Sequence, residues 1–500
     1  MPSKRLCFLS GTELLQGYKS GDISPVDVVK DVLLRIEEVN HTFNALNYIY
    51  DREDVLRQAK ESELRWKEGR QSGILDGVPV TVKDLFSQKD IPTYFGSKLD
   101  PLLKPDYVSP NVSRLLEQKA IIVGKTTTPD HGWCGVTISP LTGITRNPYD
   151  QTKTSGGSSG GSGAAVPLGL GPISIGSDAG GSVRIPSAFC NLSTIKPTFG
   201  RIAHAPPSAF GTMSHVGPMT RTIEDVALCM DVIAVPDNAD WYSLYPESNK
   251  PHVDYSSTLN NGVKNLNIAV SLDLGGYVDY VHPEVTQAVK QAAQVFKDLG
   301  ANVTFIHGDE FPLAKFDIYK AFKTVWYSGA AHLLHRKISA KGQTKEEIMS
   351  LLDPGLVSIA NKGSKLTTVD AMAAEFLRAQ MGALMNDFHS KYHVLVTPTL
   401  PIPAFEAERE VPHDIEEVCT GKKSSFWEED DLKRWWTWTP FTYPFNLTKQ
   451  PAASVPCGEF SNGGSIGLQV VGGSYQDHLV LQVCQAYQKK TNFHNKQAMN

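Results

Sequence analysis

SGGSSGGSG, residues 155–163, is an unbroken run of glycine and serine. Whether it is a tether or a built loop decides the fold. A flexible tether calls for complete units on both sides, and the flanks are not complete. The run leads straight into AAVPLGL and then GPISIGSDAGGSVRIPSAFC (171–190), where an apolar strand ends on a second Gly/Ser turn, AGGS. Glycine lets backbone N–H groups approach a ligand, and successive N–H groups in a tight turn make an anion-binding concavity. Two such turns bracketing one strand read as two cradles facing each other, for a phosphate or for a transient oxyanion.

A nucleotide- or phosphate-binding module is the rival of another class. A Walker A loop requires Lys directly after the glycines, whereas Gly161 is followed by Ser162 and Gly163, and GLGPISIG lacks the GxGxxG spacing. A nucleophile explains more. Ser182, after Ala179, Gly180 and Gly181 at the end of the 171–178 strand, sits where several backbone amides converge, which is how an oxyanion hole is built. It still needs a base. The 14 histidines are scattered, and His131 and His215 read as packed or surface residues because no HExxH-like cluster is present. A buried lysine is the other option, since burial favours the neutral amine. Lys83, at the end of the apolar run GVPVTVKD (77–84), is placed for that role, or equally for snorkelling to the surface.

Further out, the 500-residue chain has 41% hydrophobic and 20% charged residues, an ordinary globular balance. A net charge of -5 leaves no footprint for nucleic acid or an anionic membrane. Neither a signal-peptide core nor a membrane-length apolar run is present. Seven scattered cysteines without a CxxC pair point to a reducing, cytoplasmic setting and away from disulfides or thiolate zinc. Short apolar runs at 77–84, 119–126, 171–178, 265–272, 301–306 and 393–401 read as strands. HPEVTQAVKQAAQVFKDLG, with Pro283 in its first turn and apolar residues at helical spacing, is the clearest helix. The fold class is therefore α/β, a sheet covered by helices, with a mostly helical stretch from about 307 to 390 on that sheet.

Lys83 in GVPVTVKD, Ser158 in SGGSSGGS, Ser182 in SDAGGSVRIPSAFC, IKPTFGRI (195–202), GPMTRTIED (217–225) and FNLTKQPAASVPCG (445–458) together resemble the amidase signature family over nearly the whole chain. The resemblance implies a single α/β/α domain over 1–500 with a mixed central sheet. Its parts are an N-terminal helical part (1–70), a catalytic core (71–235), a variable, largely helical excursion (307–440) and a C-terminal return of sheet and helix (441–495). It also implies a Ser-Ser-Lys triad without metal or cofactor. Lys83 is the base, Ser158 the bridging serine on a cis peptide, and Ser182 the nucleophile. The amides of Ala179, Gly180, Gly181 and Ser182 hold the oxyanion. On that reading the glycine run is no tether. Asp178 and Arg184 are expected to fix the nucleophile turn as a buried ion pair, Ser159 to support the triad, and Ser155 to be structural.

The expected substrate is a small amide, hydrolysed by a monomer or homodimer acting without nucleic acid or membrane. The family also includes the glutaminase subunit of tRNA-dependent amidotransferases, whose pattern places an acid five positions before the proline of an FTxPxN stretch. Here WTPFTYPFN has Thr439 there, which speaks against glutamine. A membrane-bound branch carries an N-terminal membrane helix, and none is expected here. Four of the eight tryptophans fall in FWEEDDLKRWWTWTPF; they read either as a lid with its own small core or as an aromatic mouth for an apolar acyl or aryl amide. Gly132 and Trp133, in a loop that the resemblance places near the acyl site, and Thr439 are the candidate substrate contacts. EEDD (428–431) reads as a solvated turn, not a metal site.

Overall fold

The six apolar runs all form strands: β2 (Pro79–Lys83), β3 (Ile121–Thr126), β4 (Ile173–Asp178), β7 (Asn267–Val270), β8 (Asn302–Phe305) and β9 (Val394–Pro398). Five more join them: β1 (Leu46–Ile49), β5 (Ser193–Lys196), β6 (His215–Thr220), β10 (Ala452–Glu459) and β11 (Ser465–Gly472). The computed structural model describes residues 5–99, 104–245, 253–341, 343–496 and 498; the first four residues of the expected N-terminal helical part lie outside them. All eleven strands make one mixed sheet in the order β1-β3-β2-β4-β6-β5-β10-β11-β9-β7-β8. β3, β2 and β4 are mutually parallel, as are β9, β7 and β8, and the strands between these groups run antiparallel.

Successive residues of a strand point to opposite faces, and the core follows that rule. Ile268, Val270, Val394, Val396 and Val470 lie in one apolar layer, while their neighbours Ala269, Leu395 and Val471 lie in another. The first layer is closed by the helices Pro25–Phe43, Ile223–Ile233, Pro283–Asp298 and Asp477–Lys490. In Pro283–Asp298, the His282 ring accepts the Glu284 N–H at 3.2 Å, and Val285, Ala288, Val289, Ala292 and Phe296 form the buried stripe. The second layer holds most of the excursion between β8 and β9, whose helices are Ile318–Lys341, Lys345–Leu351, Pro354–Gly363 and Thr368–Lys391. The result is a large α/β fold with a mixed central sheet between helical layers.

The seven cysteines are free and buried. Burial raises each thiol, to about 12 at Cys7 and Cys419 and further at the other five. Among the described residues, no helix is long and apolar enough to cross a membrane, and no group of three or more His, Cys, Asp or Glu is placed to hold a metal.

Candidate active site

β2 and β4 run side by side, with Val80, Thr81 and Val82 opposite Ile173, Ser174 and Ile175. Their carboxyl ends therefore open at the same edge, where open α/β sheets bind ligands. β2 ends there on Lys83, and β4 on Ser177 and Asp178. Alternation sends Val80 and Val82 into the first apolar layer and turns Thr81 and Lys83 to the other face. Lys83 is fully buried there, so it does not snorkel. Its Nζ lies 2.7 Å from Ser158 Oγ and 3.0 Å from both Ser159 Oγ and Ser177 Oγ. Burial pushes this amine well below the ordinary lysine value of 10.5, against an upward pull from the Asp178 carboxylate. The next residue, Asp84, pairs with Lys125 of β3 at 2.9 Å, both side chains fully buried, which fixes the end of β2.

The glycine run is a packed loop. All of residues 155–163 are buried, where a tether would be solvated. Gly157–Ser158 is a cis peptide, and Ser159 leads into the helix Gly160–Ala165. The Ser159 N–H donates to the Ser182 carbonyl at 3.2 Å, which joins the two Gly/Ser turns. Ser155 donates to the Thr145 carbonyl at 3.2 Å, away from Lys83. Gly132, at φ +70°, faces the loop: a β-carbon there would lie 3.3 Å from Ser158 Oγ.

The turn that carries Ser182 is organised by Asp178. Its carboxylate accepts the Arg184 Nε–H and NH2 protons at 3.0 and 2.9 Å, the Gly181 N–H at 2.8 Å and the Val183 N–H at 3.3 Å. Arg184 also donates to the Thr442 carbonyl, Gln469 Oε1 and Asn446 Oδ1, so the guanidinium fork is fully engaged. Burial raises Asp178, but the Arg184 charge and hydrogen bonds outweigh it and hold the carboxyl below the usual range. Of the four expected oxyanion donors, the Gly181 N–H is engaged by Asp178. Among the described residues, the amides of Ala179, Gly180 and Ser182 have no intramolecular acceptor. Gly181 still has to be glycine, because its φ is +129° and a β-carbon would come within 2.5 Å of Thr442 Oγ1.

Trp435, Trp436 and Trp438 are buried, but not in a core of their own. Trp435 packs edge to face against Phe322 and Trp326 of the helix Ile318–Lys341, and its six-membered ring lies against Gly180. Trp436 donates its indole N–H to Tyr319 Oη at 2.9 Å, and Trp438 stacks on Phe189. Trp427 is only partly buried, near Tyr319.

The solvated-turn reading of EEDD is corrected at Asp431, which is fully buried and ion-paired to Lys323 at 2.7 Å. An acid without exposed surface was satisfied by a lysine more than a hundred residues away, which no local pattern reveals. Trp133 is buried with its ring against Gly355. The Thr439 hydroxyl is taken up by the Trp435 carbonyl at 3.4 Å. His215 is buried on the carbonyls of Met213 and Asp178, and His131 stacks on Phe95.

Four residues that sequence reasoning did not single out also bear on the site: Ser177, Thr442, Asn446 and Gln469. Asn446 stands inside a quoted motif. Its amide donates to the Asp178 carbonyl, the Asp178 carboxylate and the Met213 carbonyl. Ser177 precedes Asp178 at the strand end and opens the quoted SDAGGSVRIPSAFC stretch, which are its only sequence signals.

Residues 27–481 match the protein family described as Amidase. The chain is 34% identical over 486 residues to an acylamidase of Rhodococcus erythropolis, covering 96% of this chain and 95% of the relative. It is 30% identical to a glutamyl-tRNA(Gln) amidotransferase subunit of Staphylococcus haemolyticus, with 97% of each chain covered. Its fold superposes on the crystal structure of a bacterial aryl acylamidase of the amidase signature family with a TM-score of 0.85, 27% identity and 98% of both chains covered. A 6-aminohexanoate cyclic dimer hydrolase matches with the same TM-score, 26% identity and 99% coverage of both. A family match over most of its length, reinforced by a relative at 34% identity, establishes that this chain belongs to the amidase signature family and is an amide-hydrolysing enzyme.

Proposed function

We propose that this enzyme hydrolyses the carboxamide of an aryl or other apolar acyl amide through Lys83, Ser158 and Ser182, by way of an acyl-enzyme. The observation that carries the reading is the fully buried Lys83 amine 2.7 Å from Ser158 Oγ. Neutral Lys83 accepts a proton from Ser158 as Ser158 takes the proton of Ser182, and Ser182 Oγ attacks the amide carbonyl. The tetrahedral oxyanion is held by the amides of Ala179, Gly180 and Ser182. Collapse of this intermediate breaks the C–N bond, and the Ser158–Lys83 pair returns its proton to the leaving amine. Water, activated by the same pair, then hydrolyses the acyl-enzyme and frees Ser182.

The aromatic wall of Trp435, Phe322, Trp326 and Tyr443 beside Gly180 supports an apolar or aryl group, as does the acylamidase relative. The amidotransferase relative raises a glutaminase as the second reading. Thr439 offers no carboxylate for an ammonium group. Glu410, an acid that reaches this segment by accepting the Trp435 N–H at 3.2 Å, is pushed up by burial to about 8, which weakens it as a partner for an ammonium group. Free, buried thiols support a reducing, cytoplasmic location.

The test is hydrolysis by the purified chain of an aryl acylamide, an aliphatic amide, a carbamate and glutamine, each beside Ser182→Ala. The expected result is turnover of the aryl acylamide that disappears in the variant. Turnover of glutamine alone, or activity only with an added partner chain, would move the assignment to the amidotransferase branch.

A further inference from the structure

Three hydroxyls surround Lys83 Nζ, and the hydrogen bonds of one of them, Ser159, fix where its proton lies. Ser159 Oγ donates its one proton to the Ser177 carbonyl at 3.1 Å and accepts the Ser177 N–H at 3.3 Å. Towards Lys83, at 3.0 Å, it can therefore only accept. A neutral amine has two N–H donors and one lone pair. Ser159 takes one N–H, which leaves one N–H and the lone pair to be divided between Ser158 and Ser177. If Ser177 donated to the lone pair, Ser158 would face an N–H and could not pass a proton to the amine. If Ser177 accepts, the lone pair is left for Ser158.

We infer that Ser177 is a positioning residue: with Ser159, its hydroxyl accepts the N–H groups of neutral Lys83 and so aims the amine lone pair at Ser158 Oγ. This rests on the proposed role of Lys83 as base. Ser177 is built for it by place. It stands at the carboxyl end of β4, next to β2, is only 7% exposed, and its Oγ lies 3.0 Å from Nζ. Once Lys83 has taken the proton, its three N–H groups meet three hydroxyl acceptors, so the same residue also supports the charged form. The other charged or titratable groups that act on Lys83, or are acted on by it, are Asp178 at the end of β4 and His204; a change at Ser177 leaves both in place.

The experiment is a set of kcat and KM profiles against pH for aryl acylamide hydrolysis by the full chain and by Ser177→Ala, Ser177→Cys and Ser177→Thr, with melting curves for each. In Ser177→Ala, the plateau kcat is expected to fall by about tenfold or more, part of the usual general-base contribution, with KM little changed. The acidic limb is expected to move to lower pH, because one ammonium N–H loses its acceptor. Ser177→Thr keeps the hydroxyl and restores both. Ser177→Cys keeps the shape with a weak acceptor and carries the test if the alanine variant does not fold. An unchanged kcat and limb in Ser177→Ala would overturn the inference, as would a fall in kcat without a shift of the limb, or a threonine variant as impaired as alanine. Lys83→Ala and Ser182→Ala in the same assay separate the two levels. If they keep turnover, the triad itself is wrong; if they abolish it and Ser177→Ala does not change, only the positioning role falls.

Discussion

The six-membered ring of Trp435 lies against Gly180 so closely that a β-carbon at Gly180 would come within 2.7 Å of Trp435 Cη2. The aromatic cluster around Trp435 and the turn that carries Ser182 are thus one packed unit. Gly180→Ala must displace either the ring or the turn. The expected outcome is a loss of kcat of about 100-fold, the size associated with one misplaced oxyanion donor, with partial recovery in Gly180→Ala/Trp435→Leu. The check is a double-mutant cycle on kcat/KM; additive effects would mean that ring and turn are independent.

On the proposed mechanism, Lys83→Ala removes both the base and the proton donor to the leaving amine. Amide turnover is expected to drop by about 100- to 10,000-fold. Hydrolysis of an ester with the same acyl group should drop less, because an alkoxide or phenoxide leaving group needs that proton less. Steady-state rates on a matched amide and ester pair check this, and equal losses would argue against a proton-donor role.

Activity should rise with pH as Lys83 loses its proton, with the limb well below 10.5. Stability carries the same signature. Between the lowered folded-state value and 10.5 the unfolded chain holds a proton that the folded one does not, so wild-type stability rises with pH through that window. Lys83→Met has no such proton. It is expected to melt above the wild type at neutral pH, with the gap closing as the pH approaches 10.5. Melting curves across pH test it; a constant gap would show that lysine burial is not the cause.

Asp178 and Arg184 are both fully buried. Arg184→Met leaves the carboxylate without its counter-charge, and breaking a buried pair on one side costs about 3–5 kcal/mol. Denaturant titration is expected to show a lower midpoint, with activity impaired even where the chain remains folded, since Asp178 also holds the Gly181 and Val183 amides.

The strands legible in the sequence were those rich in Val and Ile and bounded by turns. β6 was hidden by Pro218, a residue that speaks against a central strand. It is tolerated because the ladder with β5 is confined to Met219 and Thr220, so Pro218 owes that strand no N–H. β10 and β11, both buried almost throughout, lack a polar alternation, and Pro456 sits beside a register shift in β10. At the site, Ser182 and Lys83 were singled out by a glycine-rich turn and a strand end, which are local signals, whereas Ser158 came only from the resemblance to the amidase signature family. Ser177, Gln469 and the Lys323 partner of Asp431 were not legible, because what gives each its meaning is a contact with a residue remote in the chain.

The buried thiols make the chain its own stopwatch. A thiol reagent reacts with the thiolate of an accessible cysteine, so labelling of the native chain records openings of the structure, not surface chemistry. Cys134 and Cys190 belong to the layer beside the candidate active site, and Cys7, Cys229, Cys457 and Cys484 to the opposite layer. The order in which these two groups are modified tells which face of the sheet breathes first, without any label having been engineered into the protein.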